Sequence, residues 1–349
     1  YLDAVVVLVG GSMILMDEWE DQVGAILMAY YPGMEGGKAV ADVLFGKTNP
    51  GGKLPFVIPK KEEDLPEIDW DAEEFRYDYY HGYTLLNKSH VKPLYPFGYG
   101  LSYTDFEQKM GDVTVADGKV SFDVTVTNNG TAAGKDVVEV YYNPPYTNGG
   151  IEKASANLID FAKTDVLQPG ESQTINVSFS EEDMASYDTY GNGCYVLEAG
   201  DYEISINSDS HNAIASQTVS VADTVVYDEN NARSTDDVAA TNQFAYAEGD
   251  VTYLSRADGF ANYAKATAAP SNFTLAEDEK AEFLNNSNYD PNNYNNDSDE
   301  MPTTGAKNGM TLADMRGLSY DDEKWDTLLD QLTVSDMDTM IPTGREYNR

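Results

Sequence analysis

Residues 30–59 read YYPGMEGGKAVADVLFGKTNPGGKLPFVIP, and this stretch decides the fold. Gly33, Gly36 and Gly37 bracket Glu35, so the backbone there is free to take positive φ or to approach another group closely. From Lys38 to Phe45 the apolar residues Ala39, Val40, Val43 and Leu44 recur at helical spacing and predict a helix with one buried face. Gly46 reads as its C-cap, Asn49-Pro50-Gly51-Gly52 as a turn, and Leu54 to Ile58 as a returning strand. Two interpretations follow. One is a helix–turn–strand corner of an α/β domain. The other is a glycine-built loop holding Glu35 near a ligand.

Upstream, Val5 to Val9 forms a wholly apolar run of the kind that suits a central parallel strand covered on both faces. Gly10-Gly11-Ser12 is the turn after its carboxyl end, where open α/β sheets bind ligands. The segment 23–30 is ambiguous, with Ala25 to Met28 reading as a second buried strand. Strand, crossover, strand, helix and strand make an α/β layer.

The 349 residues set a prior of about two or three domains. A net charge of -38 repels nucleic acid and anionic membrane, whereas a neutral sugar is not repelled. Cys194 is the only cysteine, which excludes a disulfide within the chain and a thiolate metal site. No apolar run is long enough to cross a bilayer as a helix. The sequence opens without Met or a signal peptide, directly in an apolar strand, and therefore reads as a segment of something longer.

Downstream, Lys60 to Glu74 is charged and carries Pro66 and Trp70, a surface excursion. Phe75-Arg76-Tyr77-Asp78-Tyr79-Tyr80-His81-Gly82-Tyr83 is dense in aromatics. Such clusters serve as platforms for sugar rings or, more commonly, as packing between domains. His81, His90 and His211 are scattered and make no metal cluster. Pro93 to Tyr103 carries prolines and glycines that forbid a long helix or strand, so its aromatics pack as a fixed loop.

From Val113 to Val221 the pattern is all-β. Val120, Phe122, Val124 and Val126 alternate with polar residues, as do Val138, Val140 and Tyr142, then Ile175, Val177 and Phe179, then Tyr202, Ile204 and Ile206. About a hundred residues of short, turn-spaced strands predict an immunoglobulin-like sandwich held by packing alone. Residues 222–310 are poor in regular pattern. Asp290, Asp297, Asp299 and Glu300 offer oxygen ligands of the type calcium takes, without the spacing of a calcium loop, and a solvated linker is expected there. Tyr246 to Tyr263 reads as an arm that packs on another domain. Thr311 caps a short helix, Trp325, Leu328, Leu329 and Leu332 share an apolar face, and Thr333 caps a last helix ended by Pro342 and Gly344.

With these pieces placed, the chain resembles glycoside hydrolase family 3, the β-glucosidase-like exo-glycosidases. The resemblance rests on the opening stretch, on YHGYTLL and PLYPFGYGLSYTDFE, and on VTVTNNGTAAGKDVVEVYY, LQPGESQTINVSF and LEAGDYEISI. It implies the C-terminal part of the family's α/β sandwich domain over residues 1–106 and a fibronectin type III-like domain over 112–222. A linker or wrapping arm follows over 223–310. WDTLLDQLTVSDMDTMI, within 311–349, looks like the start of the family's (β/α)8 barrel, the order of a permuted subgroup cut at both ends. Retaining glycosidases use two carboxyls about 5 Å apart. In the family the nucleophilic Asp lies late in the barrel, and the acid/base Glu precedes the apolar strand that opens this sequence. Neither has a matching position here, so the resemblance assigns no catalytic, cofactor-binding or metal residue. Glu35, in Gly-Met-Glu-Gly-Gly, belongs to the core motif and is expected to cap its own helix. The implied partners are a β-linked oligosaccharide or glucoside, unresolved among glucose, xylose and N-acetylglucosamine, and a barrel domain of the same chain. Acidity, the single Cys and the fibronectin-like module slightly favour a setting outside a bacterial cell or on its surface over a cytoplasmic one. The alternative is a non-catalytic sugar-binding or scaffolding module, motivated by the aromatics from Tyr77 to Tyr83.

Overall fold

The computed structural model describes residues 3–65, 79–86, 92–242, 251–268, 277, 280–281, 298 and 302–343. The chain divides into two units, residues 1–270 and 271–349.

The first unit opens with two parallel strands, β1 (Val5–Leu8) and β2 (Ala25–Met28), in the register Val5 to Ala25 through Leu8 to Met28. The ambiguity over residues 23–30 thus resolves as strand. β1 is not covered on both faces as its apolar run predicts. Val5 is 48 % exposed, and among the described residues β2 is the strand that pairs with it. A two-stranded layer has too few neighbours to bury a wholly apolar strand.

Helix α1 (Gly36–Leu44) follows the Gly-rich turn. It closes as a Schellman motif, with Phe45 as cap and Gly46 at φ +69°. The Gly46 N–H reaches the Val43 carbonyl at 2.9 Å, and the Lys47 N–H reaches that of Asp42 at 2.7 Å. The expected strand from Leu54 to Ile58 does not form a ladder. A single bridge joins Ile58 to Tyr95, with further bonds from Leu54 N–H to the Tyr99 carbonyl and from Gly98 N–H to the Leu54 carbonyl. Pro55 and Pro59 lack the N–H groups that a continuous ladder needs. Residues 93–103 accordingly pack as an irregular loop, downstream of the short helix α2 (Gly82–Leu86).

The rest of this unit is a β-sandwich. In one sheet, β5 (Lys119–Asn128) pairs with β3 (Phe106–Met110) and β4 (Thr114–Ala116), and also along its length with β8 (Ser172–Ser180). The other sheet runs β12–β11–β6–β7, all antiparallel, built from β6 (Val137–Asn143), β7 (Asn157–Lys163), β11 (Gly200–Asp209) and β12 (Asn212–Val221). Val120, Phe122, Val124, Val126, Val138, Val140, Val177, Phe179, Tyr202, Ile204 and Ile206 meet in the core between them, as the alternation predicts. A third small sheet joins β10 (Tyr195–Leu197) to β9 (Ser186–Tyr187) and β13 (Val225–Tyr227). So the segment after residue 222, read as patternless, begins with a strand. Its three residues are too few for periodicity to register.

Residues 233–236 continue along the sandwich. Arg233 lies 3.8 Å over the Tyr195 ring and binds Asp236 at 2.8 Å. The short helices α3 (Ala257–Phe260) and α4 (Tyr263–Ala266) end the described part of the unit.

In the second unit, Thr311 donates its N–H and hydroxyl to the Asp314 carboxylate, each at 2.8 Å, and opens a 3-10 turn over Leu312–Met315. Helix α5 (Lys324–Leu329) presents Trp325 and Leu328 half-buried, with Leu329 exposed. Thr333 and Asp336 bond reciprocally at the start of α6 (Val334–Thr343). That helix takes in Pro342 rather than stopping before it. Among the described residues no barrel forms.

Candidate functional site

Strands β6 and β11 turn one side to the sandwich core. Their other side is also largely buried, yet polar. Cross-strand pairing sets Asn143 against Glu203, Tyr141 against Ser205, and Glu139 against Asn207. Glu139, Tyr141, Ser205, Asn207 and Asp209 are all buried there. Period-two reasoning assigns these positions to solvent. Glu139 is covered instead by Gly98 of the loop 93–100, and Tyr141 by Tyr83 of helix α2.

Gly98 is the closest approach. At φ +84° it lies over Glu139, and a Cβ there would run into both carboxylate oxygens. Glu139 accepts the Tyr141 hydroxyl at 2.8 Å. Burial pushes its carboxyl up to about 7, against the opposing effects of the Tyr141 hydrogen bond and the Lys53 charge. Tyr83 stacks on Phe97 at 4.7 Å and meets Tyr141 edge-on. His211 joins the Ser210 hydroxyl at 3.2 Å to the Leu86 carbonyl at 3.0 Å, and burial lowers its basicity. Asn49, from the predicted turn, bonds across to the Ala133 carbonyl at 3.1 Å and accepts the Tyr103 N–H at 2.8 Å.

A second carboxylate organises the arm. Glu152 accepts the Tyr80 hydroxyl at 2.6 Å, the Ser255 hydroxyl at 2.5 Å and the Arg256 N–H at 3.1 Å. Arg256 also stacks 4.4 Å over Tyr146 and donates to the Lys153 carbonyl at 2.9 Å. Phe260 is buried edge-on against Tyr80. The described part of the aromatic cluster, Tyr79 to Tyr83, is therefore packing between segments. The described part of the arm rests on the β6–β7 loop. Burial and the Glu152 carboxylate hold the Tyr80 hydroxyl far above its ordinary range.

Glu35 is exposed. It occupies the N-cap position of α1, but its side chain makes no capping bond, so the expected capping by that side chain does not occur. At φ −88° and ψ 5°, it contributes its backbone carbonyl, which accepts the Ala39 N–H at 2.9 Å. Cys194 is buried, and desolvation pushes its thiol up. Phe75 to Asp78, His90, Asp290, Asp297, Asp299 and Glu300 lie outside the described residues. Among the described residues no three His, Cys, Asp or Glu side chains gather to hold a metal. Glu139, Glu152 and His211 carried no sequence signal beyond lying near aromatics. Glu139 is buried, and the half-buried Glu152 carboxylate is taken up by Tyr80, Ser255 and Arg256. This region is therefore scaffold chemistry.

Residues 2–103 match the C-terminal domain of glycosyl hydrolase family 3, and residues 136–210 match a fibronectin type III-like domain. The chain carries the family 3 C-terminal domain. β-Glucosidase A of Butyrivibrio fibrisolvens is 40% identical over 210 residues, covering 52% of this chain and 25% of that protein. The β-glucosidase of Kluyveromyces marxianus is 35% identical over 203 residues, covering 56% and 24%. Among solved structures, β-glucosidase 3B of Thermotoga neapolitana with glucose matches at TM-score 0.58 and 36% identity, over 64% of this chain and 32% of that one. The chain thus spans about a quarter of the length of these curated relatives. The family 3 domain and its β-sandwich are joined through the seam just described.

Proposed function

We propose that the protein works as part of a retaining, exo-acting β-glycosidase that hydrolyses β-linked glucosides, and that this chain supplies its non-barrel frame. The observation behind this reading is the 40% identity to a β-glucosidase across 210 residues. Two carboxyls about 5 Å apart, one as nucleophile and one as acid/base, would act on the substrate from a partnering (β/α)8 barrel and its facing loop. The seam holds the family 3 domain rigid against the sandwich, so that whatever faces the barrel is held in a fixed geometry.

The test is hydrolysis of an aryl β-glucoside. The purified chain alone is expected to show no turnover, and a polypeptide that also contains the barrel is expected to show it. An inactive barrel-containing polypeptide would sink the enzymatic reading. Turnover by the chain alone, abolished by Glu35→Gln, would overturn the structural role given to Glu35.

A further inference from the structure

The polar side of β6 and β11 is not covered along its whole length. Beside the Glu139 seam it opens into a shallow cavity of about 110 Å³, whose walls include Asn143, Ser155, Glu203, Ser205, Asn207 and His211. Asn207 is 4% exposed, and among the described residues its side-chain oxygen has no hydrogen-bond partner; the Asn143 side-chain oxygen is likewise unpartnered. Ser155 and Ser205, both buried, add hydroxyls to the same walls. A buried amide oxygen without a donor is disfavoured in a fold, and natural proteins tolerate one where it has a use.

We propose that this cavity binds the hydroxyl-bearing edge of one sugar residue. What the two orphan oxygens lack is a donor, since both are acceptors. A polyhydroxylated ligand brings O–H donors to Asn143 and Asn207 and can exchange hydrogen bonds with Ser155 and Ser205. An anion is disfavoured, because the charged wall group is the Glu203 carboxylate. The volume admits one ring edge and no more, and Tyr141 and Tyr142 are too buried to offer a stacking face. Recognition therefore rests on hydrogen bonds to a terminal residue, with weak affinity. The choice of a glucoside as ligand rests on the proposed function.

The experiment is amide NMR of the chain titrated with D-glucose, cellobiose and, as a control, methylammonium chloride. Sugar-dependent shifts confined to Asn143, Ser205, Asn207 and Ala213 are expected. Asn207→Leu removes the orphan oxygen at similar volume. It is expected to weaken sugar binding by about 2- to 10-fold, the loss of one hydrogen bond, and to raise the melting temperature. Ser205→Ala gives an independent weakening if the leucine variant folds poorly. Shifts with methylammonium only, or none with either sugar, overturn the proposal. So does a lowered melting temperature for Asn207→Leu with sugar binding intact, the signature of a cavity serving structural water. Hydrolysis by the barrel-containing polypeptide should survive Asn207→Leu, so this subsite and the enzymatic reading fail separately.

Discussion

At Glu139 a carboxylate is buried with one hydrogen-bonding hydroxyl. Tyr141 on its own strand, Asp136, Lys53 and Asp209 are the ionisable groups that act on it. The folded protein holds this carboxyl near 7, above its ordinary value of 4.5. A raised acid favours the fold while protonated. Its contribution is therefore intact below about pH 4.5 and is lost as pH rises towards 7 and beyond. Glu139→Gln should leave stability nearly unchanged at pH 4 and raise it by up to about 3 kcal/mol at pH 8. Urea midpoints at the two pH values measure this. Parallel pH profiles for the variant and wild type would refute it. The same site fixes Gly98. Alanine there meets the Glu139 oxygens and a left-handed backbone at once, so Gly98→Ala should cost about 1–3 kcal/mol. Glu139→Gln should not rescue it, because the clash is steric.

At the scale of elements, α1 offers a paired test of what its glycines do. Gly46 sits at φ +69° in the Schellman turn, with open space around it. Gly46→Ala should lower stability by about 1 kcal/mol through backbone strain alone. Gly37 lies inside the helix with ordinary φ and open space. Gly37→Ala should instead raise stability by about 0.5–1 kcal/mol. Thermal unfolding of the two variants distinguishes them by sign. The arm gives a second test. Asp258, Gly259 and Phe260 all have positive φ, an arrangement held by Phe260 against Tyr80 and by Ser255 and Arg256 on Glu152. Phe260→Ala should remove about 3–5 kcal/mol locally. Hydrogen exchange should then speed up across residues 253–267 while the sandwich core stays protected.

These elements also show what a sequence makes legible. Val120 to Val126 and Tyr202 to Ile206 alternate strictly, because one side of each strand meets the core, and the sandwich could be read from that. The other side of β6 and β11 could not. Glu139 is a polar residue buried by a loop distant in sequence, and polarity at alternate positions looks the same whether water or Gly98 lies above it. Leu54 to Ile58 misled for a local reason, since its apolar content signals a strand while Pro55 and Pro59 remove the donors. Glu152 gathers its partners from residues 80, 146 and 255–256, a convergence that no local pattern records.

Over the whole molecule two opposing terms set its behaviour in solution. The first is apolar exposure in the family 3 domain, where Val9, Tyr31, Phe45 and Leu101 are each more than half exposed. Exposed apolar side chains lose contact with water when copies associate through them, which favours association. The second is the net charge of -38, which drives copies apart. Salt weakens the second and leaves the first, since screening shortens the reach of charge to about 10 Å at 0.1 M and about 3 Å at 1 M. The chain should therefore be monomeric at low ionic strength and self-associate as salt is raised. Sedimentation velocity across a sodium chloride series measures this. Phe45→Lys, which removes an 87% exposed ring beyond the end of α1, should reduce both the high-salt association and the binding of a hydrophobic dye, with the sandwich unaffected. Association that falls with salt would mean that charge pairing, and not these side chains, brings copies together.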